Sequence, residues 1–227
     1  MASVVPKLVT IAVNETIQVS GLMQRPARAD ACLVLAHGAG AGMRHPFMSA
    51  VADDLATLGI ATLRYQFPYM EKSSRRPDPP ELCHATVRAA VAAAGLLEPA
   101  LPLIAGGKSF GGRMTSQAQA AAPLQGVRGL AFLGFPLHPP KQPSDARGEH
   151  LMKVRIPMLF LQGTRDAFAE LPLLEELAAR LGTRARLLLL ADADHSFHVP
   201  SRSGRTDPEV RDELLRTLAA WTRSIIP

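Results

Sequence analysis

The chain holds 227 residues, a length that one α/β domain commonly fills, and its 47 % hydrophobic and 20 % charged residues exclude a disordered chain. A formal charge of +5 and a sequence pI of about 9.7 raise the question of nucleic acid. Basic residues are scattered singly apart from Lys72-Ser73-Ser74-Arg75-Arg76, and 5 % aromatics are too few for base stacking, so compositional bias accounts for the pI and no nucleic-acid partner is expected.

Two strand-like pieces, Lys7 to Val13 and Thr16 to Met23, joined at Asn14-Glu15, predict an antiparallel hairpin at a sheet edge. Apolar runs then alternate with helix-period segments, the signature of β-α units that build a parallel sheet. Ala31 to Ala36 is a strand ending in His37-Gly38; Phe47, Val51, Leu55 and Leu58 mark a helix stopped at Gly59. Ile60 to Tyr65 is the next strand, residues 69–80 a polar, proline-rich loop, and Leu82 to about Gly95 a helix. Leu101 to Ala105 is a buried strand running into Gly106-Gly107-Lys108-Ser109-Phe110-Gly111-Gly112, with a helix to about Ala122 and a strand from Val127 to Phe135. Pro136 to Pro143 holds four prolines and is expected to be irregular. Met158 to Leu161 and Arg186 to Leu190 are strands, separated by a helix through Leu171, Leu174, Leu177 and Leu181. The last helix is expected to open with Asp207 as N-cap and Pro208 at N1, and to bury Val210, Leu214, Leu218 and Trp221. With no repeat, linker or composition break, residues 1–227 are expected to form one domain.

No apolar run is long enough to span a bilayer and no secretory signal opens the chain, so no membrane partner is expected. Cys32 lies in an apolar strand-like run and Cys83 in a helix-like one, both outside any metal-ligand pattern, and both are expected to be reduced and buried or half-buried in a cytoplasmic protein.

Gly107-Lys108-Ser109-Phe110-Gly111 fits G-x-S-x-G and lies between a strand and a helix, where the motif has meaning. The serine takes a strained turn, and a side chain two residues before or after it would strike the neighbouring strand or helix. Its hydroxyl then stands at a helix N-terminus, whose free N–H groups and dipole favour a developing oxyanion. A five-residue pattern also arises by chance, but its place in a β-α unit removes most accidents. A P-loop would need a glycine where the chain has Pro102.

A serine nucleophile needs a base within hydrogen-bond reach and an acid to orient that base. On such a turn the acid and then the histidine follow the serine along the chain. Of seven histidines, His37, His45 and His84 precede Ser109, and His138 and His150 lie in the irregular segment. His195 stands at the end of a late strand and is the expected base, with His198 a surface neighbour. Asp166, after the strand ending at Leu161, is the expected acid. Asp194, adjacent to His195, should point the other way; Asp192 is the remaining rival. Asp192, Asp194, His195 and His198 have no second group of ligands, so no metal is expected, and no cofactor.

His37-Gly38-Ala39-Gly40-Ala41-Gly42 follows the strand that should supply the second oxyanion donor. The backbone N–H groups of Phe110 and Ala39 are the expected pair. Read as a dinucleotide fingerprint, the run fails at its third glycine, which is Met43.

These elements in this order resemble the α/β-hydrolase superfamily over nearly the whole chain. More narrowly, Arg64-Tyr65-Gln66-Phe67-Pro68-Tyr69 and Gly107-Lys108-Ser109-Phe110-Gly111-Gly112-Arg113-Met114 resemble a small bacterial group of predicted hydrolases. That group is related to the human testis-expressed hydrolase-like protein and to the hydrolase-like domain of an NSL chromatin-complex subunit. The chain is also similar to dienelactone hydrolases, which carry a cysteine where it has Ser109. The resemblance implies a single α/β-hydrolase domain with about eight mostly parallel strands, helices on both faces and no large lid.

The expected activity is hydrolysis of a small ester through Ser109, His195 and Asp166. Acyl transfer, peptide cleavage with the same residues, or a retired hydrolase fold used as a binding scaffold are the alternatives. The loops expected at the mouth, 38–46, 69–80, 136–150, 166–172 and 194–208, carry eight basic and eight acidic residues, so no anionic substrate is implied. The short segment between Phe135 and Ile156 predicts an open, shallow site for short acyl groups.

Overall fold

The computed structural model describes residues 4–74 and 76–226. Met1, Ala2, Ser3, Arg75 and Pro227 lie outside the described residues, so the chain's first residues and one arginine of the Lys72–Arg76 run are not part of this account.

Eight strands form one sheet in the order β1-β2-β4-β3-β5-β6-β7-β8. β1 (Lys7–Ala12) and β2 (Gln18–Gln24) are the antiparallel hairpin read from the sequence, and β2 also runs antiparallel to β4 (Ile60–Tyr65). β3 (Ala31–Ala36), β4, β5 (Leu103–Lys108), β6 (Val127–Leu133), β7 (Met158–Gly163) and β8 (Ala185–Leu190) are parallel.

Each central strand is buried on both faces, which is why it reads as an unbroken apolar run. Its side chains still alternate between two cores. Cys32 and Val34 of β3, Phe132 of β6 and Phe160 of β7 join Val87, Met114 and Leu177 on one face. Leu33, Leu35, Leu133 and Leu161 join Val51, Leu55, Val210 and Leu214 on the other. Helices α3 (Pro80–Leu97), α4 (Phe110–Ala121) and α5 (Leu171–Leu181) cover the first face; α1 (Pro46–Thr57) and α6 (Asp207–Ile225) cover the second.

Four local readings change. Residues Pro68–Glu71 form a single helical turn, α2, that runs into the start of the expected loop. A 3-10 helix, Ala146–Lys153, follows the proline-rich segment, and no lid domain stands over the sheet among the described residues. Helix α3 runs through Gly95 to Leu97, because an internal glycine weakens a helix without ending it. The N-cap of α6 is Thr206, closing a capping box with Glu209. The Asp207 carboxylate is taken instead by the Val199 N–H and by His198.

Both cysteines are free and buried, and burial pushes each thiol up to about 12. Among the described residues no helix is long and apolar enough to cross a membrane.

Candidate active site

β5 delivers Ser109 to the C-terminal edge of the sheet, and α4 starts at the next residue. Ser109 has φ 49° and ψ −114°, a conformation that costs a non-glycine residue energy and persists only when its surroundings impose it. They do so tightly. A Cβ on Gly107 would lie 2.5 Å from the Ala36 carbonyl oxygen and 2.9 Å from the Gly111 backbone, so β3 and α4 can close on the turn only around a glycine.

The structure brings together the three side chains read as nucleophile, base and acid. His195 Nε2 lies 2.8 Å from Ser109 Oγ, and His195 Nδ1 lies 2.7 Å from Asp166 Oδ2. Asp166 sits on the turn after β7 with its side chain shielded from solvent, and its other oxygen accepts the Phe168 N–H at 2.8 Å. Gln162 Nε2 donates to Asp166 Oδ2 at 2.5 Å, while Gln162 Oε1 accepts the Phe135 N–H. The Phe168 ring lies against His195, with centroids 4.3 Å apart. An imidazole so held takes the tautomer with Nδ1–H on the carboxylate and a free lone pair toward the hydroxyl.

The rivals go elsewhere. Asp194 Oδ1 accepts the N–H groups of Ser196 and His198, shaping the turn that carries His195. Asp192 is exposed with φ 58°, and His198 is an exposed partner of Asp207. His138 and His150 are spent in local contacts, with the Pro139 carbonyl and with Ser116. Among the described residues no group of three or more His, Cys, Asp or Glu side chains is arranged around a metal position.

The glycine run after β3 is held by its own histidine. His37 Nδ1 donates to the Gly38 carbonyl at 2.7 Å and Nε2 accepts the Phe67 N–H at 3.2 Å. Complete burial lowers its pKa to about 4, so the ring is neutral, as this pairing requires. The Tyr69 hydroxyl accepts the Gly40 N–H at 3.1 Å, Gln66 Oε1 accepts the Met43 N–H at 2.8 Å, and the Ala41 N–H goes to the Gly38 carbonyl. The Ala39 N–H, like those of Gly38 and Gly42 and the Phe110 N–H at the start of α4, has no acceptor among the described residues. The Arg64–Tyr69 run thus supports the glycine turn. Sequence reasoning had carried that run only as part of a resemblance, although polar side chains directly after a buried strand were a signal that they serve the adjacent turn.

A cavity of about 320 Å³ opens over Ser109, with Ala39, Phe47, Met48, Phe168 and Ser196 among its walls. Its lining is mostly apolar. Residues 69–80 and 136–150, expected at this mouth, border depressions of their own instead, one between Tyr69 and Pro79 and one between Leu137 and Arg147. Lys108, which precedes the serine in Gly107-Lys108-Ser109-Phe110-Gly111, lines the cavity beside it.

Known structures share this architecture. The chain is similar to a dienelactone hydrolase from Anabaena variabilis, with 21 % identity, all of both chains covered and a TM-score of 0.77. It is similar to an α/β serine hydrolase without a lid from Xanthomonas campestris, with 19 % identity, 96 % and 95 % of the two chains covered and a TM-score of 0.75. The esterase domain of a Rhodothermus marinus protein matches with 17 % identity, 96 % and 98 % covered, and a TM-score of 0.70. At these identities the likeness is one of fold. The family is shown by sequence: a family model described as an alpha/beta hydrolase domain matches residues 29–223, and the chain belongs to the α/β hydrolase family.

Proposed function

We propose that this protein is a serine hydrolase that cleaves small carboxylic esters through an acyl-enzyme. The observation that carries the reading is the hydrogen-bonded line from Ser109 through His195 to shielded Asp166 at the foot of an apolar cavity.

In this reading Ser109 Oγ attacks the acyl carbon while its proton passes to His195 Nε2. The carbonyl oxygen becomes an oxyanion and accepts from the N–H groups of Phe110 and Ala39. One such donor is typically worth about 10²–10³ in rate. Collapse breaks the ester bond, and His195 gives its proton to the leaving oxygen. Water then attacks the acyl-enzyme, losing its proton to His195; the acid leaves and Ser109 recovers its proton. Asp166 holds Nδ1–H throughout and balances the imidazolium charge. Nucleophile, proton carrier and charge stabilisation all come from the chain's own groups.

The substrate is a small molecule with a short acyl group, to suit a cavity of about 320 Å³. Two buried free thiols suit a reducing compartment, so we assign the protein to the cytoplasm, working as one domain with neither nucleic acid nor membrane as partner. A scaffold that has retired its chemistry is the second reading, and it rests only on the sequence resemblance of Arg64–Tyr69 and Gly107–Met114. An unbroken serine–histidine–aspartate line has no use in a scaffold and speaks for the enzyme.

The test is a panel of esters and thioesters run on wild type beside Ser109→Ala. Turnover of short-chain esters that Ser109→Ala abolishes supports the reading; equal activity of the two proteins contradicts it.

A further inference from the structure

The mechanism above leaves Lys108 without a task. Its Nζ donates to the His195 carbonyl oxygen at 2.5 Å and lies over the Phe197 ring, 5.1 Å from the centroid. A surface lysine normally keeps its ammonium in water. This one is turned inward along the cavity wall, toward the loop that follows β8.

The sheet order explains what such a contact could do. β6 and β7 separate β5, which carries Ser109, from β8, which carries His195. The His195 turn must therefore reach back over two strands. Asp194 organises that turn internally and Asp166 holds the ring by Nδ1. Between the turn and the nucleophile strand stand the Ser109–His195 hydrogen bond, which is the bond that must change during reaction, and the Lys108–His195 contact, which need not. Gly134 keeps the corridor open: a Cβ there would lie 2.9 Å from Lys108 Nζ and 3.5 Å from the His195 ring.

We propose that Lys108 is a positioning residue: its ammonium ties the nucleophile strand to the backbone of the general base and sets His195 against Ser109. The proposal rests on the serine-hydrolase reading. The charged groups facing the ammonium are Asp166, after β7, and Asp194, after β8; both favour its charge. Desolvation outweighs them and lowers its pKa to about 8. The tie should therefore weaken as pH rises through that value.

Lys108→Met keeps the stem and removes charge and donors. We expect kcat to fall about 10- to 100-fold with KM changed less than about threefold, since a small misplacement of a catalytic group costs rate rather than binding. Fluorophosphonate labelling of Ser109 should slow in parallel, and amide hydrogen exchange across residues 194–199 should quicken. The wild-type labelling rate should drop above about pH 8, and Lys108→Met should lose that limb. A variant within about twofold of wild type, or one that keeps the limb, overturns the proposal. If Lys108→Met does not fold, Lys108→Gln takes its place with the same labelling readout, and a rate within about twofold of wild type overturns the proposal. Wild type that takes no label at any pH contradicts the serine-hydrolase reading itself, which separates the two failures.

Discussion

Gln162 and His195 meet on one oxygen of Asp166, at 2.5 and 2.7 Å. Gln162 is wholly buried on β7, and its amide oxygen accepts the Phe135 N–H at 2.8 Å, so one side chain joins the end of β6 to the acid. Gln162→Leu would strand that buried N–H and release the carboxylate. We expect a stability loss of about 1–3 kcal/mol by urea unfolding. Short-ester kcat/KM should fall by about tenfold or more. Unchanged kinetics would mean that Asp166 needs no such support.

His37 sets an acid limit on stability. Its pKa is about 4 when folded against 6.5 when free, so the unfolded chain takes up the proton first. Stability is then full above about pH 6.5 and falls as pH drops toward 4, by about 3 kcal/mol from this group. His150, also lowered to about 4 by burial and then by Arg113, adds to the same window. Urea midpoints should fall steadily from pH 7 to 4.5, and His37→Asn should flatten part of that slope.

Gly106 lies outside G-x-S-x-G yet is packed more tightly than the glycines within it. A Cβ there would enter the Ala131 carbonyl oxygen of β6, and neither backbone can yield within the ladder. Gly106→Ala should cost more than about 3 kcal/mol or leave no soluble protein. Gly95, in the last turn of α3 with nothing nearer than 3.8 Å, is the counter-case: Gly95→Ala should stabilise by up to about 0.5 kcal/mol. Thermal unfolding of the pair separates the two effects.

Met48 of α1 lines the cavity and is almost fully buried. Wild type should prefer acetyl and butyryl esters to long-chain ones in a chain-length series. Met48→Ala should shift the preference toward longer acyl groups. A wild-type preference for long chains would contradict the short acyl group proposed for this cavity.

The sequence made the sheet readable where side-chain period and burial agree, as in Ala31–Ala36, whose alternate residues feed two cores. Ser109, Asp166 and His195 were readable as positions because each follows a strand, and strand ends share one edge of a parallel sheet. Gln162 and Lys108 were not, because the bonds of Gln162 to Phe135 and of Lys108 to His195 run between strands whose neighbours only the sheet order determines. The same reason misplaced residues 69–80 and 136–150 at the mouth. The cap of α6 was missed for a local reason: Thr206-Asp207-Pro208-Glu209 offers two cap residues, and the one three before Glu209 can close a box.

The central claim is that Ser109 is an activated nucleophile. Treating the folded protein with a fluorophosphonate and locating the adduct by mass spectrometry tests it directly. The account predicts one adduct, on Ser109, formed at neutral pH, lost in Ser109→Ala and strongly slowed in His195→Ala. No adduct anywhere from about pH 6 to about pH 9, or an adduct on another serine, would contradict it.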